Sequence, residues 1–480
     1  MVFRYENSFD LAKIYNLKVM NDFLDLNSLI TSKSISGWGR RGFVKSKLLN
    51  LGSSQEIINL IKGSETSSLI TRGLGRSYGD AAQLKDDFVL NVSFSDGISL
   101  SGNKLTVGGG VSISKLLEVI VPLGYFLPVL PGSAQVTIGG AVAADVHGKN
   151  HHKDGSLGNH VSRILLIDGK GEIKEIKPKL ENSEENNNFF WATIGGMGLT
   201  GIILEVTISL IKIETSLMKV DTFICKELEI LMDLMRSKDQ EYTYSVAWLD
   251  SLHKKTRGVL TCGEHAKLEN LDNTSLDLLS YDSKNLGTAP RFMPNGLLNK
   301  LTVKAFNEFW FRKSVGIENS IQTITHFFHP LDGVSHWNRI YGSQGFLQYQ
   351  FVIPDDKTYF ISKTLDRLKQ CSSYSFLTVL KRFGKSNDAF LSFPQPGWTL
   401  AVDLPGSNVN LLSVLEELDE ELASLGGKIY LAKDSRQTSE MFKKTYLSYQ
   451  KWRTIKDKMD PDNLFQSDLS KRLRMRYFDP

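Results

Sequence analysis

Short apolar runs between glycine turns dominate the first half of this chain. Residues 104–107 and 202–210 alternate as strands do, and residues 114–121 carry the stripe of a helix. From about Ile213 the pattern changes, and strand-like runs alternate with helical ones at 242–249, 346–353, 359–369, 375–381 and 400–404. Residues 408–425 read as an amphipathic helix, with Asn408 as N-cap and Gly426-Gly427 as the stop. Weak helical periodicity around Phe23, Leu24, Leu26 and Leu29 sets residues 1–36 apart as an extension. The polar run at 182–188 predicts an exposed loop. The longest apolar stretch, 116–130, is broken by Glu118, Pro122, Gly124 and Pro128, so no membrane-spanning helix is expected.

Two glycine clusters interrupt this pattern. Residues 71–80 (Thr71-Arg72-Gly73-Leu74-Gly75-Arg76-Ser77-Tyr78-Gly79-Asp80) follow a strand end at Ser68-Leu69-Ile70. Residues 131–141 run from Pro131-Gly132-Ser133 to Thr137-Ile138-Gly139-Gly140-Ala141. Such loops turn tightly and let backbone N–H groups approach a phosphate or pyrophosphate. Arg72 and Arg76 add positive charge, and His147, Lys149, His151 and His152 follow the second loop closely. Two basic glycine loops point to a doubly anionic ligand such as a dinucleotide. The nicotinamide fingerprint is not met, because no G-x-G-x-x-G leads into an amphipathic helix with an acid about twenty residues later. Asp145 and Asp154 show no ligand spacing with the histidines, so no metal is expected. Gln348 and Gln350 flank Tyr349 on an alternating strand and share one face, suited to sugar hydroxyls. Lys381, on another such strand, suits a phosphate.

A chain of 480 residues with 41% hydrophobic and 23% charged content is an ordinary globular composition, long enough for two or three domains. A net charge of +4 argues against nucleic-acid binding. Cys225, Cys262 and Cys371 stand far apart and imply buried thiols rather than a disulfide framework. The first ten residues have no apolar core, so no signal peptide is expected. The expected location is cytoplasmic, or peripheral on the inner membrane.

Taken together, these residues resemble the vanillyl-alcohol-oxidase-type flavoproteins. Within them, residues 73–80, His147-Gly148-Lys149-Asn150-His151-His152 and Gly155-Ser156-Leu157-Gly158-Asn159-His160 look like the decaprenylphosphoryl-β-D-ribose 2′-oxidase family. Leu380-Lys381-Arg382-Phe383-Gly384, Pro396-Gly397-Trp398, the block 430–436 and the block 460–469 agree, and the likeness runs from about Gly37 onward. It implies an α+β fold: a two-lobed FAD-binding (PCMH-type) domain with an inserted substrate-binding domain on an antiparallel sheet. The expected divisions are 1–36 (extension), 37–211 (FAD domain), 212–427 (substrate domain) and 428–480 (return to the FAD domain). It further implies FAD oxidation of the 2′-hydroxyl of a polyprenyl-phospho-β-D-ribose to a 2′-keto sugar. That is the first half of an epimerisation which an NAD(P)H-dependent short-chain reductase completes, at a membrane surface.

The expected catalytic residues are His147, Lys433 and Tyr78. Cofactor contacts are expected from Arg72, Gly73, Leu74, Gly75, Arg76, Ser77, Gly132, Ser133, Thr137, Gly139, Gly140, Ala144, Gly148 and Asn150. Substrate contacts are expected from Lys149, Gln348, Gln350, Lys381, Thr399 and Ala401. His160 and Asn159 are expected to brace their loop. The chain departs from its relatives twice. Arg76 stands where many flavoproteins of the wider group carry a covalently flavinylated histidine, so FAD is expected to bind non-covalently. Thr399-Leu400-Ala401 follows Trp398 where the mycobacterial enzymes have asparagine, an apolar residue and cysteine. Two other readings stay open: an aldonolactone or alditol-type sugar oxidase, and a non-catalytic flavin-binding partner. A mobile, partly exposed apolar segment between about residues 265 and 330 is expected to form the lipid-side mouth of the site.

Overall fold

The computed structural model describes residues 29–475, apart from 64–66, 93–96, 179–182, 272–276, 284–285, 315–316, 407 and 409. The periodicity around Phe23, Leu24 and Leu26 therefore lies outside the described residues. Short apolar runs in the first half pair into two sheets. Ile30–Ile35 (β1), Val44–Leu49 (β2), Leu69–Arg72 (β3) and Phe88–Asn91 (β4) take the order β1-β2-β4-β3. Ile98–Ser101 (β5) and Lys104–Gly108 (β6) join a second sheet; Tyr125–Phe126 (β7) does not. That sheet is completed by Val161–Ile167 (β8), Ile173–Ile176 (β9) and Ile202–Ser209 (β10), in the order β5-β6-β10-β8-β9. β7 pairs instead with Ile211–Lys212 (β11).

The second half builds one antiparallel sheet of eight strands. Its members are Leu217–Cys225 (β12), Tyr244–Asp250 (β13) and Arg257–His265 (β14), then, past Gly287–Thr288 (β15), Ser320–Thr323 (β16). Past Val334–Ser335 (β17), which runs parallel to β15, come Phe346–Ile353 (β18), Thr378–Phe383 (β19), Gly397–Pro405 (β20) and Lys428–Ile429 (β21). Their order is β16-β12-β14-β13-β19-β20-β18-β21. One face is packed by the helices Leu228–Glu241, Tyr359–Gln370 and Leu411–Ser424. Leu231, Met235, Phe360, Leu365, Leu415 and Leu418 there meet Tyr349, Phe351, Trp398 and Leu400 of the sheet. Because strand side chains alternate, Gln348 and Gln350 must face the other way.

The C-terminal segment returns to the first half. Leu69 forms a parallel bridge with Phe465, and the Trp452 indole N–H donates to the Ala192 carbonyl at 3.0 Å. The buried Asp460 holds this return in place. It accepts from Lys456 Nζ at 2.7 Å and from the N–H groups of Leu464 and Phe465 at 2.8 and 2.9 Å.

Three local expectations are corrected. The polar run at 182–188 is not a loop: a helix spans Glu184–Thr193, because Ser183 caps it and its apolar end, Phe190 to Ala192, is buried. The helix expected from Asn408 begins at Leu411, since the Asn408 side chain accepts from the N–H of Asn410 and turns the chain first. Ile30–Ile35, read as part of an extension, is an edge strand paired with β2.

Asp460→Ala leaves the Lys456 ammonium buried without its partner, which costs about 3–5 kcal/mol. The expected result is a markedly lower melting midpoint by scanning fluorimetry; an unchanged midpoint would place the anchor elsewhere.

Candidate active site

Three segments converge on the polar face of the large sheet. Tyr78 N–H donates to the Ala432 carbonyl at 2.9 Å, Tyr430 N–H to that of Gln350 at 3.0 Å, and Ser245 N–H to that of Lys149 at 2.9 Å. The approach is close enough to demand glycine. A Cβ on Gly79 would stand 1.9 Å from the Asp434 carbonyl oxygen, and one on Gly73 2.2 Å from Thr137 Oγ1. Beneath these segments the strand register pairs Gln348 with Asp403, Gln350 with Ala401, and Lys381 with Thr399. All six side chains therefore share one face.

His147 is buried among Phe383, Phe393 and Tyr430, and its Nε2 lies 3.1 Å from Gln350 Nε2. The same amide nitrogen donates to Thr399 Oγ1 at 3.2 Å. Burial, followed by Lys381, His151 and Lys433, holds His147 well below the usual histidine range, so the ring is neutral. With Nε2 accepting from Gln350, the ring proton sits on Nδ1, which has no partner among the described residues. An orphaned buried donor of this kind marks the place of a ligand acceptor. The neighbouring histidines brace the loop. His151 Nδ1 accepts from Gly384 N–H at 3.1 Å, and burial pushes its pKa down to about 3. His152 and His160 turn Nε2 towards the carbonyls of Tyr242 and Asp154, at 3.1 and 2.9 Å. Asn159 braces the same turn, its amide lying against Gly155. Asn150 donates to the Pro128 carbonyl at 2.7 Å and to Asp154 at 2.6 Å, and Gly148 has no room for a side chain beside it.

Lys149, Lys381 and Lys433 lie deep in the protein yet keep part of their surface open, and Lys381 stands close enough to the other two to repel both. Lys149 Nζ donates to the Phe327 carbonyl and stands 4.2 Å from that ring's centroid. Lys433 Nζ stands 3.6 Å from the centroid of Tyr78, whose ring meets Phe346 edge-on. Among the described residues none of the three forms a direct ion pair. Burial and then Lys381 push Lys149 down to about 7, and burial pushes Lys381 down to about 8. Lys433 is lowered by burial and by Lys381, against the raising effect of Asp403. Among the described residues no cluster of histidine, cysteine and carboxylate could hold a metal ion.

The first glycine loop offers a row of N–H groups. Those of Leu74, Gly75, Arg76 and Ser77 have no hydrogen-bond partner among the described residues. Arg72 does not extend its charge outward as expected. Its guanidinium donates to the carbonyls of Ala82 and Ser36 at 2.7 and 2.8 Å and underlies Gly75, whose φ is +63°. Arg76 lies 3.9 Å from the Trp38 centroid, with its Nε unpaired. The second loop is less open than its glycines suggest. Gly139 N–H donates to the Gly109 carbonyl at 2.8 Å, and Gly140 N–H to Thr137 Oγ1 at 3.2 Å. Thr137, Gly139 and Gly140 thus tie the loop down, and the N–H groups of Gly132 and Ser133 have no hydrogen-bond partner among the described residues. The Ala144 carbonyl is likewise engaged, by Tyr430 OH at 2.9 Å.

Three carboxylates belong to this site that the sequence reading did not single out for it. Asp332 accepts from Ser133 Oγ and Ala134 N–H, both at 2.7 Å, beside a cavity of about 150 Å³ bounded by Arg76, Gln135 and His329. Asp145 accepts from Ser156, Asn387, Ser392 and the N–H of Gly158, tying the histidine loop to residues 387–392. Asp403 accepts from Gln348 Nε2 and, at 3.3 Å, from Tyr341 OH. Asp403 was within reach of the sequence, because it continues the period of two from Thr399 and Ala401.

A family model described as an FAD binding domain matches residues 48–177, which hold both glycine loops and the histidine loop. The chain is 40% identical over 456 residues to a decaprenylphosphoryl-β-D-ribose oxidase of Mycolicibacterium smegmatis, covering 93% of this chain and 98% of that one. It is 30% identical over 376 residues to an uncharacterised protein of Streptomyces coelicolor, covering 76% of this chain and 100% of that one. A D-arabinono-1,4-lactone oxidase of Kluyveromyces lactis is 24% identical over 168 residues, 33% of this chain and 31% of that one. FAD is the cofactor, and the residues present fit it: the N–H groups of Leu74 to Ser77, unpaired among the described residues, suit a pyrophosphate.

Arginine at position 76 cannot form the histidyl–flavin bond. Acid precipitation of the yellow protein is expected to leave all the flavin in the supernatant; flavin fluorescence on the pellet would contradict this.

Proposed function

The chain belongs to the decaprenylphosphoryl-β-D-ribose oxidase family, and on that premise we propose how its own residues carry out the oxidation. It is an FAD-dependent oxidoreductase. The substrate is a polyprenyl-phospho-β-D-ribose, and the product is its 2′-keto sugar. One observation carries the substrate reading: Lys149, Lys381 and Lys433 stand close together and partly open, with no direct ion pair among the described residues. Three such ammonium groups match a phosphorylated sugar, whereas a neutral lactone would leave them without a counter-charge.

The bound flavin supplies the hydride acceptor. Lys433 holds the 2′-hydroxyl and the negative charge that grows on its oxygen as the C2′ hydrogen leaves as hydride, and the hydroxyl proton is released to solvent past the open faces of the lysines. His147, neutral and with Nε2 taken by Gln350, orients the substrate through Nδ1–H rather than removing a proton. Gln350 and Thr399 fix that ring, Tyr78 packs under Lys433, and Lys381 and Lys149 meet the phosphate. Ala401 leaves a small, unreactive wall where the mycobacterial enzymes carry a thiol. The 2′-keto product suits a short-chain reductase that returns hydride from NAD(P)H. The proposed division keeps 211/212; the edge strand Ile30–Ile35 joins the FAD domain, and Lys428–Ile429 stays with the substrate domain's sheet before the chain returns.

A prenyl tail requires access from a bilayer, and among the described residues no helix is long and apolar enough to cross one. The helix Lys300–Lys313 and the segment before it suit an interfacial position. Phe292 is 94% exposed, Leu301 79% and Phe309 62%, with Arg291, Lys304 and Lys313 close by in sequence. Phe311 differs, since it packs 4.1 Å from the Arg257 guanidinium and is excluded from the contact. The patch adjoins the site through the β15–β17 ladder and through Phe306, which meets Phe376 edge-on. We place the protein peripherally on the inner membrane.

Lys433→Ala is expected to retain FAD while flavin reduction by a prenyl-phosphoribose slows roughly a hundredfold or more, equivalent to about 2–4 kcal/mol. A near-normal rate in anaerobic stopped flow would remove Lys433 from the site. Replacing Phe292, Leu301 and Phe309 together with serine should weaken co-sedimentation with anionic vesicles at least about tenfold. Unchanged sedimentation of the folded variant would rule this patch out.

A further inference from the structure

Asp403 is a buried carboxylate with no ion-pair partner within reach of a salt bridge among the described residues. It is fully buried on β20, and its only hydrogen-bond donors among the described residues are Gln348 Nε2 and Tyr341 OH. Two neutral donors leave a buried carboxylate under-compensated. The charge within its reach is Lys433, whose ammonium is in turn without an ion pair of its own. Tyr341 is stacked on Phe346 at 4.0 Å between ring centroids, and Phe346 also meets the edge of Tyr78. Asp403, Tyr341, Phe346, Tyr78 and Lys433 thus form one continuous chain of contacts, which holds the carboxylate near the ammonium.

We propose that Asp403 is a positioning residue of the reaction: held by Gln348 and Tyr341, it is the counter-charge that keeps Lys433 an ammonium when the substrate hydroxyl arrives. This rests on the reading of Lys433 given above. It also reassigns Gln348, whose amide N–H serves Asp403 rather than a sugar hydroxyl. The other charges facing the pair oppose or only modulate it. Lys381 disfavours a protonated Lys433, while Arg76 and Asp332 act on Tyr78 from the cofactor side. Burial raises Asp403 above the usual carboxylate range and lowers Lys433, and the two charges steady each other. The sign is clear. Removing the negative charge lowers the pKa of Lys433 further, so the ammonium is lost at a lower pH.

The test compares wild type with Asp403→Asn as holoproteins. The alkaline limb of flavin reduction by a short-chain prenyl-phosphoribose is measured in anaerobic stopped flow. Independently, the Lys433 13Cε resonance is titrated without substrate in lysine-labelled protein, assigned through Lys433→Met. Expected for Asp403→Asn is a shift of both midpoints to lower pH by about one unit or more. Both midpoints unchanged in a folded, FAD-loaded variant would overturn the role of Asp403 while leaving the substrate reading intact. Absence of flavin reduction in wild type would overturn the substrate reading, and the substrate-free titration would then decide the Asp403–Lys433 coupling alone. Where Asp403→Asn does not fold, Asp403→Ser serves. It removes the same charge and must shift the Lys433 titration in the same direction; no shift in that folded variant refutes the proposal.

Discussion

Like charges confined where water is scarce are the constraint on which this molecule is organised. Lys149, Lys381 and Lys433 would each prefer solvent, and crowding them together costs free energy that the fold must offset elsewhere. The surroundings do so sparingly. One ammonium lies over Phe327, another over Tyr78, and one buried carboxylate stands at the end of the row. The shortfall in negative charge matches the ligand class, because an arriving phosphate completes what the protein leaves incomplete. The site is built to be unstable alone and stable when filled.

Holding such a site demands a scaffold that cannot yield. The large sheet supplies it by giving its two faces different work. Tyr349, Phe351, Trp398 and Leu400 are locked under helices on one side, which fixes where Gln348, Gln350, Thr399 and Asp403 stand on the other. A one-residue slip between β18 and β20 would exchange the two sets. The glycine contacts work in the same direction. Gly79 against the Asp434 carbonyl leaves no slack between the first loop and the segment that carries Lys433.

What the sequence revealed follows from this division. Alternation is a local property, so the strand at 346–353 and the shared face of Gln348 and Gln350 were legible from the residues alone. The family likeness was legible because its motifs are contiguous. Asp403 was not singled out, since its meaning depends on pairing with a strand remote in the chain. Composition also cannot tell which N–H groups are free: Gly139 and Gly140 look like a phosphate cradle, yet the chain at Gly109 and the Thr137 hydroxyl already occupy them. Nor does composition tell where a charge points: the Arg72 guanidinium turns to the carbonyls of Ala82 and Ser36. The helix at Glu184–Thr193 was hidden by its asparagine-rich start, while the apolar end that fixes it declares itself only against a neighbour.

The bridge between Leu69 and Phe465 reaches across nearly the whole polypeptide, and His147 meets Gln350 from 203 residues away. A nascent chain can pair its first four strands early, but it cannot cover the open edge of β3 until the segment around Phe465 has emerged. Contacts of such high order form slowly, because long loops must be closed before any pairing stabilises them. Until then the open edge of β3 and the apolar side of the first glycine region remain exposed, the kind of surface that chaperones hold and aggregation exploits. Yield in a foreign host will thus be governed by how long the early strands wait for the last segment, rather than by the stability of the finished protein.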